Sequence, residues 1–263
     1  MGEVLGIDVS HHNGKIDWKK VAESGRKFAI MKCQYEAKSH RIDETFEYNY
    51  TEAGKNRIAR GVYIWVGAES AKDPVGDANA LLDKLKDRPL EYGIWLDMED
   101  SKIKSLGREK LTKLCYIYSN LFRAAGYYVG IYCNKDWYDN VLDKHKLAMD
   151  FEFWIARYPK NDIGLYNPTS SLSPKRFSVA WQYSSKGKVP GVPTVCDLNV
   201  DFDGVVNLLA CNNTPKSIRE IALEVNDGLW GTASTKPSRK ELLTAAGYDY
   251  AEVQKVVNQL SRY

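Results

Sequence analysis

The sequence contains no Cys-x-x-Cys pair, and its cysteines, Cys33, Cys115, Cys133, Cys196 and Cys211, are odd in number. A disulfide framework and a zinc site are therefore not expected, and reduced thiols from cytoplasmic synthesis are the simplest account. No window approaches the roughly 18 uninterrupted apolar residues of a membrane-spanning helix, so no membrane insertion is expected. The N-terminal run Met1-Gly2-Glu3-Val4 lacks the basic stretch and apolar segment of a signal peptide. The expectation is a chain made in the cytoplasm which, if its target lies outside the cell, something else must deliver. An excess of charge is lacking too: 37 Lys and Arg against 34 Asp and Glu leave a net charge of +3. That suits an anionic polymer but is too weak to argue for nucleic acid. No G-x-S-x-G elbow, Walker loop or G-x-G-x-x-G is present, so Ser-based hydrolysis and phosphate or nucleotide binding are unsupported. No cofactor is expected.

What the sequence does have is aromatic side chains, seven Trp and seventeen Tyr. Flat rings are good surfaces for the apolar faces of sugars, although any single ring is by default a core residue. The 263 residues suffice for one α/β barrel, or for a domain of about 200 residues with a small one appended.

Short β-rich runs recur over residues 1–210, at 4–9, 28–33, 61–66, 92–98, 128–133, 153–156, 179–183 and, more weakly, 196–200. Amphipathic helical segments lie between the first five, at 18–24, 43–57, 74–86 and 108–125, with Gly25 and Gly126 where helix C-caps belong. Alternation of strand and helix predicts parallel pairing, and eight strands predict closure into a barrel. Residues 157–178 are rich in Pro, Asn, Gly and Ser. The expected fold is therefore an irregular (β/α) barrel with eight strands and fewer helices, its last crossovers made by loops or short helices.

Residues 211–216 read as a linker. Beyond it, residues 217–263 change texture to three compact helical segments, a small all-α bundle. Each opens on a capping-box spacing: Ser217 with Glu220, Ser238 with Glu241, and Asp249, a looser fit, with Glu252. Gly228 and Gly247 end the first two helices. Ile218, Ile221, Ala222 and Val225 line one helix, and Val253, Val256, Val257 and Leu260 the last.

Two carboxylates end the fourth strand, Asp97 and Glu99. Alternation along a strand points both the same way, about 6.5–7 Å apart. Asp8 ends the first strand and Asp197 lies at the last. In a parallel barrel the strand C-termini form the active-site face, so these acids are expected in one mouth. Clustered carboxylates repel, and one can stay protonated near neutral pH to donate to a leaving oxygen while another offsets positive charge, as glycoside hydrolysis requires. Taken singly, each acid reads first as a surface or capping carboxylate; the i, i+2 pair at a strand end is what favours a functional reading. Asp8, His11, His12 and Asp97 could also serve as hard metal ligands.

Residues 1–210 resemble family 25 glycoside hydrolases, lysozymes common in phages of Gram-positive bacteria. The resemblance rests on ordered motifs: Gly6-Ile7-Asp8-Val9-Ser10, Gly14-Lys15-Ile16-Asp17-Trp18, Gly61-Val62-Tyr63 and Leu96-Asp97-Met98-Glu99. It continues through Trp154-Ile155-Ala156-Arg157-Tyr158, Trp181-Gln182-Tyr183-Ser184-Ser185 and Asp197-Leu198-Asn199. It implies Glu99 as general acid, Asp97 as the group stabilising the reacting sugar or its acetamido group, and Asp8 and Asp197 as further acids of the cleft. Tyr63, Trp65, Tyr132, Trp181, Tyr183 and Asn199 would bind substrate. Where the family has Lys-Ala-Thr/Ser-Glu-Gly, this chain has Lys32-Cys33-Gln34-Tyr35-Glu36, which leaves the role of Glu36 open. Residues 217–263 resemble a three-helix wall-binding repeat, with Asp227, Trp230, Arg239 and Tyr250 as its sugar-site candidates, although Trp230 and Tyr250 equally suit a small core.

The resemblance implies a lysozyme that cuts the β-1,4 bond between N-acetylmuramic acid and N-acetylglucosamine in peptidoglycan, released to the wall by a holin. With one repeat only, self-association through the C-terminal segment is expected to supply avidity. Two other readings remain: a non-catalytic glycan-binding barrel, and a metal-dependent deacetylase or hydrolase.

Overall fold

The computed structural model describes residues 2–34, 42–86, 88–211 and 214–261, without the side chains of residues 205, 208 and 211. Its elements alternate from the start: β1 (Val4–Val9), α1 (Trp18–Glu23), β2 (Phe28–Gln34), α2 (Phe46–Lys55), β3 (Ala59–Trp65), α3 (Pro74–Leu85), β4 (Ile94–Asp97), α4 (Gly107–Ala124) and β5 (Val129–Asn134). There follow α5 (Lys144–Leu147), β6 (Phe153–Ala156), β7 (Ala180–Gly187), β8 (Cys196–Asp201) and α6 (Val205–Cys211). The helices expected from periodicity are present with their ends shifted by up to three residues, and Gly25 and Gly126 take the left-handed backbone that stops α1 and α4 (φ 86° and 85°).

The eight strands close into a barrel in sequence order. Each strand from β1 to β6 pairs parallel with the next. The expectation of parallel pairing throughout fails at β8, which runs antiparallel to both β7 and β1. The cause is the length of the connection. Only residues 188–195 separate β7 from β8, too short a segment for the crossover of about a dozen residues that a parallel return needs.

Two apolar layers hold the barrel. Between strands and helices lies the larger one, with Ile7, Val62, Leu96 and Ile131 turned outward onto helix residues such as Leu81 and Leu121. Inside the barrel, aromatic rings fill the space: Phe28 stacks on Tyr92 (centroids 4.2 Å apart), and Trp95 meets Trp154 edge to face at 5.7 Å. Rings of this size fit only because their neighbours are small. A Cβ on Gly130 would lie 2.4 Å from the Trp95 ring, and one on Gly6 would lie 2.5 Å from Phe28.

The C-terminal segment forms α7 (Ile218–Asn226), α8 (Arg239–Ala245) and α9 (Tyr250–Leu260). Ser217 and Ser238 complete capping boxes with Glu220 and Glu241, while Asp249 accepts the Glu252 N–H at 2.9 Å. Ile221, Val225, Trp230, Leu242, Leu243 and Val253 make the core. This bundle lies against the barrel: Asn120 on α4 donates to the Leu229 carbonyl at 3.0 Å, and Pro215 packs over Gly126.

Gly130→Ala is expected to lower stability by about 1–3 kcal/mol, because the methyl group must displace Trp95 in a filled interior. Urea unfolding measures it; an unchanged midpoint would mean that the interior has room to give.

Candidate active site

The mouth at the C-terminal ends of the parallel strands holds a cavity of about 140 Å³. Asp8, Asp97, Glu99 and Asp197 all line it. Asp97 is the last residue of β4, in register with Trp65 on β3 and Tyr132 on β5. Asp197 reaches the mouth for a different reason from the others. Because β8 is antiparallel, its beginning, and not its end, lies there, and Asp197 stands directly opposite Asp8 in the β1–β8 ladder.

The Asp8 and Asp197 carboxyl groups face one another at the mouth, so the two do not readily ionise together. Asp8 Oδ2 also accepts from Gln182 Nε2 at 2.8 Å and from Asn199 Nδ2 at 2.7 Å. Gln182 is itself oriented, its Oε1 accepting from Tyr132 Oη at 2.8 Å and from the Tyr158 hydroxyl. Trp154 Nε1 donates to Asn199 Oδ1 at 3.0 Å and fixes that amide likewise. Burial pushes Asp8 up to about 6, with the two amide donors acting against it. Burial and then the Asp8 charge push Asp197 up to about 8.

Burial, and then the neighbouring Glu99, hold Asp97 well above the usual carboxylate range, and Lys32 opposes them. Asp97 Oδ1 is buried without a hydrogen-bond partner among the described residues. Glu99, half-buried at the rim, is raised by burial and partly held down by Asn134 Nδ2 at 3.4 Å. The mouth thus offers protonated and ionised carboxyl groups side by side, the provision that general-acid chemistry requires.

Tyr63, Trp65 and Tyr132 line the cavity, together with Trp154, Lys32 and Gln182, which the sequence reading did not single out. The Lys32 ammonium lies 5.7 Å from both the Tyr63 and Trp65 ring centroids. Trp181 and Tyr183, expected in the subsites, face the other way. Both are buried in the outer layer, where Trp181 Nε1 donates to the Arg157 carbonyl at 2.9 Å and Tyr183 meets Tyr166 at 5.0 Å. Alternation along β7 turns Gln182 inward, so its aromatic neighbours must point outward. A polar residue between two large rings was the available signal. Asn199 has no exposed surface and stands behind Asp8 as a donor, not on the cavity wall.

His11 Nδ1 lies 3.0 Å from Asp43 Oδ2, and among the described residues no three His, Cys, Asp or Glu side chains are gathered as metal ligands. Glu36 lies outside the described residues. In the C-terminal bundle, Trp230 is fully buried, donates to Glu224 Oε2 at 2.9 Å and meets Tyr248 edge-on, so it is a core residue and offers no ring to a sugar. Arg239 donates to the Gly231 carbonyl through Nε (3.1 Å) and Nη2 (3.0 Å). Asp227 is exposed at the end of α7, and Tyr250 is half-buried at the start of α9.

A closed strand-and-helix barrel with carboxyl groups and an aromatic wall at one mouth defines a glycoside-hydrolase cleft. The sequence profile of glycosyl hydrolases family 25 matches residues 7–192, and that of the CW_7 repeat matches residues 219–260. The chain belongs to glycosyl hydrolase family 25. It is 30% identical over 222 residues to Lysozyme M1 of Streptomyces globisporus, covering 80% of this chain and 72% of that one. It is 27% identical over 259 residues to the lysozyme of Streptococcus phage Cp-7, covering 97% of this chain and 70% of the phage protein. Its fold matches the bacterial lysozyme from Streptomyces coelicolor with a TM-score of 0.63 at 24% identity, over 81% of this chain and 99% of that one. The autolysin LytC of Streptococcus pneumoniae, solved with a synthetic peptidoglycan ligand, matches with a TM-score of 0.61 at 26% identity, over 75% of this chain and 46% of LytC.

Asp197 binds its proton more tightly in the folded chain than in the unfolded one. The stability this contributes is complete below about pH 4 and is lost as pH rises toward about 8. Asp197→Asn, neutral throughout, is therefore expected to change stability little at pH 4 and to raise it at pH 8. The gain should be at least that of one pKa unit, about 1.4 kcal/mol. Urea unfolding at the two pH values checks this; equal effects at both would refute it.

Proposed function

We propose that the protein is an N-acetylmuramidase that hydrolyses the β-1,4 bond between N-acetylmuramic acid and N-acetylglucosamine in peptidoglycan. The observation that carries this reading is the carboxyl cluster under an aromatic wall, with Glu99 at its rim and Asp97 behind it. Glu99, whose hold on its proton is strengthened by burial, donates to the departing glycosidic oxygen. Positive charge then builds at the anomeric carbon. Asp97, with its unengaged Oδ1, is suited to orient the acetamido N–H so that the substrate's own carbonyl oxygen attacks. Retention of the β-anomer, seen by proton NMR in the first product, is the expected outcome of that route, and an inverted product excludes it. The lysozymes among its relatives and the CW_7 repeat support peptidoglycan as the substrate.

We further read the chain as a phage endolysin, made in the host cytoplasm and released to the wall by a holin. The phage lysozyme alignment over 97% of this chain supports this. Expression inside a Gram-positive host should lyse cells only when a holin is co-expressed. Self-association through the C-terminal bundle is proposed as the source of avidity for a single repeat, with Leu223 exposed on α7 as a contact. Sedimentation equilibrium should show a species heavier than 29.9 kDa, and a strict monomer with undiminished wall affinity would overturn it.

Glu99→Gln is expected to lower the rate about 10²–10⁴-fold while leaving the fold intact. The assay is digestion of purified Gram-positive peptidoglycan followed by borohydride reduction and mass spectrometry. New reducing N-acetylmuramic acid ends from the wild type alone support the proposal. New N-acetylglucosamine ends would make the enzyme a glucosaminidase, and no new ends would leave a glycan-binding barrel.

A further inference from the structure

Outside the catalytic mouth, a groove of about 1080 Å³ is walled on one side by the barrel and on the other by the repeat. Its barrel wall is the start of α3 and the first half of α4. Its other wall is residues 233–238 and the beginning of α8. The floor is apolar, formed by Val75, Leu106, Leu114, Ile117 and Pro237. Lys72, Lys110, Lys113 and Lys236 stand around it. Lys113 Nζ donates to the Lys236 carbonyl at 3.3 Å and ties the two walls together, and Lys72 pairs with Glu69 at 2.6 Å.

The two acids in the lining are engaged with backbone. Asp73 caps α3 through the Gly76 N–H at 2.9 Å, and Glu241 accepts from the Ser238 N–H at 2.6 Å. Lysines therefore outnumber acids around the groove, and the acids are turned to helix ends. Topology sets its position. α3 and α4 follow β3 and β4, so their N-terminal ends lie at the same end of the barrel as Trp65, Asp97 and Glu99. The barrel wall of the groove therefore begins at the end of the barrel that carries the mouth.

We propose that this groove is a second binding site, for a short wall peptide bearing free carboxylates and small apolar side chains. The inference rests on the peptidoglycan reading above: a glycan strand seated in the mouth carries such peptides outward from its sugars. Carboxylates match the lysine rim, and methyl groups match the apolar floor. A polyol phosphate chain would satisfy the rim only, leaving the floor wet.

The test compares the wild type with Lys110→Glu/Lys236→Glu, counting new reducing ends on three substrates. These are peptide-bearing wall with its phosphate polymers, the same wall freed of them, and glycan chains stripped of peptide by an amidase. The variant should match the wild type on stripped glycan and be slower by about fivefold on both peptide-bearing walls, with an unchanged melting temperature. Equal ratios on all three substrates would overturn the proposal. So would a defect that disappears when the phosphate polymers are removed, since the occupant would then be the polyol phosphate. If charge reversal lowers the melting temperature, Lys72→Gln/Lys110→Gln carries the same comparison, with a smaller loss expected. Binding is also read without cutting. Titrating the full chain with the synthetic tetrapeptide L-Ala-D-Glu-L-Lys-D-Ala should move NMR amide signals of residues 71–75, 106–117 and 233–238. Shifts confined to other residues, or none, overturn the site. Shifts there without any glycan cleavage overturn the muramidase reading and leave the groove standing.

Discussion

The structure depends on one arrangement: carboxyl groups held out of water, side by side, at the mouth of a closed barrel. Ionised together in a confined space they would repel strongly, so the fold must hold protons among them. Asp8 is gripped by Gln182 and Asn199, which are gripped in turn by Tyr132, Tyr158 and Trp154. Of these rings, Tyr132 and Trp154 are packed inside the barrel, and the interior core is thereby also the mounting of the site. The strain of crowding acids is offset by the apolar surface buried around them, the usual relation between an active site and its scaffold.

Direction of the last strand decides the membership of that cluster. A parallel β8 would carry Asp197 to the opposite end of the barrel. The short connection forces an antiparallel return, and the β1–β8 ladder then sets Asp197 against Asp8. Asp97 and Glu99 need no such device, since both follow one strand to its end. The site is thus two pairs with different origins, one made by spacing along a strand and one made by pairing between strands.

The repeat is not hung loosely on its linker. Pro215 over Gly126, the Asn120 bond to Leu229 and the Lys113 bond to Lys236 set it against α3 and α4. Its Trp230 contributes to holding that small bundle together and is unavailable as a binding platform. A small helical unit has few buried side chains, and the largest ring is needed among them.

Much of the fold was legible in the chain itself. Strand positions, the first four helices, the glycine stops and the serine caps follow from interactions spanning a few residues, and the acids of the mouth follow from motifs at strand ends. What could not be read was which side of a strand faces inward. In a barrel covered by helices both faces are buried, so Trp181 and Tyr183 look as suited to the mouth as Gln182, and hydrophobicity does not separate them. Lys32, Gln182 and Trp154 became site residues only through closure, and the direction of β8, the docking of the repeat and the groove beside it only through packing. Sequence by itself determined what is local, because caps, turns and alternation act along the chain. Tertiary structure decided what depends on distant segments meeting, because ring closure and strand pairing bring Asp8 to Asp197 across nearly the whole barrel sequence.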